Sequence, residues 1–171
     1  MPSQTLARIR RFLPFLGLGL AVVAAMAGAL LWVQRGAHLE LAGSIQKVRT
    51  LALPDSATVA IIDFRFVNTA DYRFDVRGVE VLLDTADGRT LSGAVVSEYD
   101  ARQLFSYYPI LGQKYNQTLV ARTRIAPHQS LDRMIAARFE IPEQQFEQRK
   151  GLRVRVEDVD GAVSEIGQPG R

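Results

Sequence analysis

The sequence contains no cysteine, which excludes disulfide bonds, catalytic thiolates and a lipid-modified cysteine as an anchor. Histidine is also scarce, because His38 and His128 are the only two and neither has a histidine or glutamate at metal-ligand spacing. The chain has no glycine-rich phosphate loop and no serine in a nucleophile elbow. We therefore expect a protein that is not an enzyme and that uses no metal or cofactor.

Acidic residues are missing from the first 35 positions, whereas four of the 21 basic residues lie there. The rest of the chain then holds 17 basic residues against 18 acidic ones, a net charge of −1. The high pI of 9.5 is thus a property of the N-terminal end alone. It does not predict a nucleic-acid-binding face.

The longest apolar run covers residues 12–33 and contains no charged side chain. As a helix it would be about 33 Å long, enough to cross a hydrocarbon core of about 30 Å. Arg8, Arg10 and Arg11 precede the run and only Arg35 follows it closely. The positive-inside rule therefore predicts a single span of the inner membrane, with the N-terminus cytoplasmic and the C-terminal domain periplasmic or extracellular.

A cleaved signal peptide is the alternative, since residues 25–27 and 27–29 resemble small-residue cleavage sites. The run is longer than the usual signal-peptide core of about 7–15 residues, which favours an uncleaved signal-anchor. Ala21, Ala25 and Ala29 form a small-residue ladder that would allow the anchor to self-associate.

The chain after the anchor is long enough for one domain with a proper core. The tail GQPGR contains no apolar residue and is expected to be disordered. The predicted organisation is a cytoplasmic N-terminus (1–11), a transmembrane helix (12–33), a linker (34–41), a β-sandwich domain (42–166) and the tail (167–171).

Strand patterns dominate that domain. In residues 58–68 the apolar side chains alternate with Asp63 and Arg65, which predicts a half-buried strand. Asp-Gly pairs at 87–88 and 160–161 predict tight turns, and Pro142 predicts the start of a short helix. Further strands are expected at 74–76, 79–84, 89–96, 118–125, 131–141, 152–156 and 162–166, so the fold class is all-β, an antiparallel β-sandwich.

The order of these segments carries a family resemblance. An alternating strand ends in Asn68 (FRFVN), followed by FDVRGVEVLLD and DGRTLSG, then by LVARTRIAP and LDRMIAARFEI. Over residues 57–156 this order resembles the late-embryogenesis-abundant type 2, or water-stress and hypersensitive-response (WHy-like), domain. The resemblance implies an immunoglobulin-like sandwich that is often membrane-tethered and linked to stress protection, and it implies no catalytic residues.

Residues 98–116 (EYDARQLFSYYPILGQKYN) do not follow the strand pattern. Asp100 with Gln103 resembles a capping box, and Pro109 should interrupt the helix that follows. The spacing of Leu104, Tyr107, Tyr108 and Leu111 predicts one helical face.

The same segment holds four of the five tyrosines. Tyrosine combines a large contact area with a polar tip and is enriched at interfaces. The segment could therefore be a structural plug with buried rings, a contact surface, or both. The candidate binding residues are Tyr99, Phe105, Tyr107, Tyr108 and Tyr115.

Three function classes follow from these observations. A non-enzymatic envelope module, acting in binding or scaffolding, would have a closed core and would contact an envelope protein or a lipid. A carrier of a lipid or other apolar ligand would need an apolar pocket. A hydrolase with an unrecognised site would need carboxylates clustered near His128. The lack of any catalytic constellation favours the module.

Overall fold

The computed structural model describes residues 19–21, 23–28 and 41–170, which belong to two separate compact units, 1–38 and 39–171. In the first unit the described residues are helical and fall inside the predicted span 12–33. The rest of that span, the predicted cytoplasmic N-terminus and most of the predicted linker lie outside the described residues. Within the described ranges, no helix has both the length and the apolar character needed to cross a bilayer.

The second unit is an antiparallel β-sandwich with a short helical insertion. Its strands are β1 (Leu41–Ala52), β2 (Thr58–Asn68), β3 (Phe74–Asp84), β4 (Thr90–Val95), β5 (Arg124–Ile125), β6 (Ser130–Phe139), β7 (Gly151–Asp158) and β8 (Val163–Pro169). Two α-helices, α1 (Glu98–Tyr107) and α2 (Glu143–Glu147), and a 3-10 turn (Pro109–Leu111) complete it.

The strands are hydrogen-bonded in the order β1-β2-β6-β4-β3-β7-β8, with β5 paired to β3. The two ends of this order come together, since the Leu41 amide donates to Ser164 Oγ at 2.8 Å. The inward side chains form one closed core. Its fully buried large members include Phe64, Phe66, Phe74, Phe139, Phe146, Ile62, Leu83, Ile125 and Ile135.

Strand β4 passes from one half of the sandwich to the other at Gly93. Gly93 pairs with Val81 of β3, whereas the next residue, Ala94, pairs with Arg138 of β6. A β-carbon on Gly93 would lie 2.6 Å from Cζ of the buried Phe139 ring. Glycine is therefore required where the strand changes partner and the aromatic core reaches its backbone.

Asn68, the last residue of β2, joins the loops at one end of the sandwich. Its side-chain amide lies within hydrogen-bond distance of the carbonyls of Tyr72, Ile125 and Ala126, at 2.7, 3.2 and 3.1 Å. Its Oδ1 accepts from the Ala70 amide at 3.1 Å. A buried amide with this many partners explains why the alternating strand ends in asparagine.

The local sequence signals are confirmed where they depend on short-range geometry. Gly88 and Gly161 have positive φ values of 87° and 88°, as the predicted Asp-Gly turns require. The predicted strand at 131–141 corresponds to β6, and the helix predicted after Pro142 is α2. The sandwich and the interruption at Pro109 are also confirmed.

Three expectations are wrong. Residues 118–125 are not one strand, because Arg122 adopts φ 67° and only Arg124–Ile125 pair with β3. Strand β1 was not expected at all, and its first residue, Leu41, lies in the predicted linker. The tail predicted to be disordered from 167 onward continues β8, where Gly167 pairs with Arg153 and Pro169 with Gly151.

We predict that Gly93→Ala lowers the free energy of unfolding by about 1–3 kcal/mol, as overpacking of a tight core typically does. The new methyl group would meet Phe139 and the Ala137 β-carbon, both held in the closed core. Urea denaturation of the full-length chain in detergent measures the change.

The matched control is Gly78→Ala in β3, where an added β-carbon has no atom within 4 Å. We expect this variant to stay within about 0.5 kcal/mol of the wild type. Equal stability of the two variants would contradict the close approach of Phe139 to the Gly93 backbone.

Candidate functional site

The helical insertion, residues 98–116, leaves and rejoins the sheet at nearly the same place. The Val96 amide donates to the Ala136 carbonyl at 2.8 Å, and the Leu119 amide donates to the Met134 carbonyl at 2.8 Å. The chain thus leaves β6 opposite Ala136 and returns to it opposite Met134, two residues earlier in that strand. The insertion therefore lies between two segments that both hydrogen-bond to β6, and it packs over the outer face of the sheet.

Helix α1 begins one turn earlier than the sequence indicated. Ser97 is the N-cap, and its hydroxyl accepts from the Asp100 amide at 3.1 Å and donates to the Asp100 carboxylate at 2.7 Å. Asp100 is therefore the third residue of the helix and not its cap. The helix ends at Tyr107, and Pro109 opens the 3-10 turn that Gly112 closes with φ 71°.

A second apolar cluster fixes the insertion to the outer face of β1, β2 and β6. From the insertion come Ala101 and Leu111, both buried, with Leu104 and Phe105 packed at the edge. From the strands come Leu51, Val59, Ile61, Met134 and Ala136. Strand β2 is therefore buried on both faces around Ile61, which corrects the prediction of a half-buried strand.

A buried ion pair stands at the edge of this cluster. Arg49 Nη2 lies 2.7 Å from Asp63 Oδ2, and the two side chains are 10% and 6% exposed. Asp63 Oδ1 accepts from the Asn116 side-chain amide at 2.9 Å. Asp63 was expected on an open face, but the insertion covers it and supplies one of its partners.

Arg49 also binds the backbone of the insertion directly. Its Nη1 donates to the carbonyl oxygens of Leu111 at 2.6 Å and Gln113 at 2.9 Å. Its guanidinium carbon lies 5.1 Å from the ring centroid of Phe105 and 5.8 Å from that of Tyr115. One side chain thus connects a strand carboxylate, two insertion carbonyls and two insertion rings.

Glu98 holds the two ends of the insertion together. Its carboxylate lies 3.2 Å from Lys114 Nζ and 3.3 Å from Arg102 Nε. Burial alone would raise the pKa of Glu98, but interaction with the Thr118 hydroxyl and with the two cations holds it below its ordinary value. The carboxylate is therefore ionised at neutral pH and pairs residue 98 with residue 114.

The tyrosine side chains of the insertion are exposed to solvent, including that of Tyr115 beside Arg49. The exposed fractions are 66% for Tyr99, 74% for Tyr107, 38% for Tyr108 and 67% for Tyr115. Ile110, in the 3-10 turn, is 84% exposed. We call these five residues the tyrosine surface. The helical face predicted from spacing is only partly confirmed, because Leu104 and Leu111 pack inward whereas Tyr107 and Tyr108 are exposed.

The tyrosine content of the sequence identified the exposed tyrosines but not Arg49, Asp63, Ile110 and Asn116. The remaining candidate contact residue, Phe105, is partly buried and packs beside Arg49. Asp63 left one signal, since it is a lone carboxylate inside the apolar run VAIIDFRF.

Other depressions of the described domain are open to solvent. One, of about 260 Å³, is lined mainly by Val79, Val95, Val96, Leu119 and Val120, with Glu98 and Thr118 at its edge. Another, of about 360 Å³, lies over β3 and β7 and is lined by Glu80, Arg155 and Glu157.

His128 lies on the surface with Asp71, whose Oδ1 is 3.0 Å from His128 Nε2. Both side chains are exposed, and the pair joins two loops. In the part of the chain that the structure describes, no group of three or more histidine or acidic residues could hold a metal ion.

Comparison with known proteins gives one distant structural likeness. No protein-family model matches the sequence, and no curated protein is significantly similar to it. The crystal structure of an uncharacterised beta-sandwich protein from Clostridium difficile 630 aligns with a TM-score of 0.36 at 13% identity. The alignment covers 75% of this chain and 81% of that protein.

We predict that Arg49→Met lowers the free energy of unfolding by about 3–5 kcal/mol, because it leaves the buried Asp63 carboxylate without its cation. It also removes the donors to the Leu111 and Gln113 carbonyls. Chemical denaturation of the full-length chain measures the loss.

Arg65→Met is the matched control, since Arg65 on β2 pairs with Asp132 at 2.7 Å in the open, with side chains 55% and 46% exposed. An exposed pair contributes about 0–1 kcal/mol, so this variant should be nearly as stable as the wild type. A similar small loss for both variants would show that Arg49 does not fix the insertion.

Proposed function

We propose that this chain is a membrane-tethered, non-enzymatic binding module whose recognition surface is the tyrosine surface. The observation that carries the proposal is that the insertion is packed firmly against the sheet while its tyrosine rings stay exposed. Leu111 and Ala101 are buried in the second cluster, while Tyr107 and Ile110 beside them are mostly exposed.

The energetics of recognition favour such an arrangement. A side chain that is already held in place loses little conformational entropy on binding, so more of its contact energy appears as affinity. Tyrosine is among the residues that dominate binding energy at interfaces. A rigid helical support therefore makes exposed tyrosines effective contacts, in a way that a free loop would not.

The tether is the second part of the proposal. Its support is the uncharged run 12–33 and the arginine asymmetry around it, which would place the sandwich outside the cytoplasm. The order of sequence segments from FRFVN to LDRMIAARFEI is the support for a relationship to the late-embryogenesis-abundant type 2, immunoglobulin-like domains. A role in envelope stress protection belongs to that relationship.

A carrier of an apolar ligand is the other candidate. The open crevice beside Val79 and Val120 is where a ligand would lie, and its lining is mostly apolar. Its volume of about 260 Å³ falls below the range of about 300–1,000 Å³ that is typical of ligand pockets. Its openness would leave much of an apolar ligand in water, so the module is the better proposal.

We expect Tyr107→Ala combined with Tyr108→Ala to abolish partner or ligand retention while changing the unfolding free energy by less than about 1 kcal/mol. Both rings lie largely outside the two apolar clusters. Native mass spectrometry of the full-length chain, extracted from membranes in mild detergent, reports any retained mass alongside the denaturation curve.

Tyr72→Ala is the matched control, because Tyr72 is 63% exposed and lies in the loop after β2, outside the insertion. It should retain whatever the wild type retains. A double variant that keeps its associated mass would contradict the proposal. A stability loss of about 3–5 kcal/mol per ring would instead show that the rings belong to the core.

A further inference from the structure

The most exposed residue of the tyrosine surface is also the least polar. Ile110 projects from the 3-10 turn and is 84% exposed, although isoleucine is among the residues most often found fully buried. The turn is fixed in this position, because the adjacent Leu111 is buried and its carbonyl binds Arg49. The exposure of Ile110 is thus a built feature of the insertion.

The chemistry around Ile110 resembles that of membrane-interface segments. From Gln103 to Gln113 the sequence QLFSYYPILGQ contains no acidic or basic residue. Tyr107 and Tyr108 directly precede the turn, and tyrosine prefers the headgroup level because it has an apolar body and a polar tip. An exposed aliphatic side chain next to exposed tyrosines suits a bilayer surface, where the acyl chains lie below the hydrated headgroups.

The charged side chains on either side of this uncharged stretch cancel in sum. Arg102 and Lys114 share the carboxylate of Glu98, and Asp100, bonded to Ser97, is the other acidic residue of the insertion. A border without net charge does not oppose approach to a surface of zwitterionic and anionic headgroups.

The chain connects this face to a bilayer over a short distance. If residues 12–33 span the membrane, only residues 34–40 lie between Val33 and β1, a reach of at most about 28 Å. The insertion lies over the outer face of β1 near Arg49, about 26 Å along the strand from Leu41. This length of chain therefore permits the outer face of β1 to reach the lipid.

We propose that the tyrosine surface docks on the lipid surface of the membrane to which the chain is tethered, with Ile110 entering the acyl boundary and the tyrosines at headgroup level. This inference rests on the tether and the recognition surface proposed above. A lipid surface is favoured over a protein partner by the aliphatic tip, the uncharged stretch and the short linker. Because tethering holds the two surfaces together, even a small patch is enough.

The absence of native cysteine allows a clean test, since one introduced cysteine gives one unique label. In the Ile110→Cys variant of the full-length chain, a nitroxide spin label is attached to the new cysteine. The labelled protein is then reconstituted in nanodiscs of phosphatidylethanolamine and phosphatidylglycerol. Val163→Cys on β8, also partly exposed, is the matched control. We expect the label at 110 to collide with oxygen and lose its collisions with a water-soluble nickel chelate, and the label at 163 to show the reverse.

Equal nickel collisions at 110 and 163 would overturn the lipid-docking proposal and leave the surface to a protein partner. A third label, at Ala21→Cys in the apolar run, tests the tether separately. A label at 21 in lipid with a label at 110 in water would retain the tether and reject the docking. A label at 21 in water would reject the tether, and the comparison of 110 with 163 would still decide the docking.

Discussion

The buried ion pair between Arg49 and Asp63 is the interaction on which the candidate site depends. Two charges removed from water need partners for their remaining polar atoms, and the insertion supplies the Leu111 and Gln113 carbonyls and the Asn116 amide. Among the described residues, Arg49 Nε is the atom of the pair that is left without a hydrogen-bond partner. The dependence is mutual, because the insertion has few other polar bonds to the strands beneath it. A polar contact among apolar ones also fixes one position for the insertion, which apolar packing alone specifies less sharply.

Much of the fold could be predicted from local signals. Alternation located β2, β6 and β7 because an inward face repeats every second residue whatever the rest of the chain does. Asp-Gly pairs located two turns because only the glycine adopts positive φ without strain. The concentration of tyrosine identified the insertion, since the strands had no comparable cluster of exposed aromatic residues.

The remaining features depend on contacts between distant parts of the chain. Strand β1 was not predicted from the sequence, because a bulge after Ile45 breaks its alternation and its inward residues lack a regular period. Residues 118–125 alternate like a strand, but bonds to Met134 and Val76 hold them in a different path. The burial of Asp63 depends on a segment that begins 35 residues later, and no local pattern can report it.

The central claim is that the insertion is a fixed part of the sandwich and not a loose loop. Amide hydrogen exchange of the full-length chain in detergent, followed by mass spectrometry of peptides, tests it most directly. The account predicts that the amides of Tyr108, Leu111 and Gly112, which bond within the insertion, exchange slowly and with protection close to that of β2 and β6. Exchange of these amides at the rate of an unstructured peptide would contradict it.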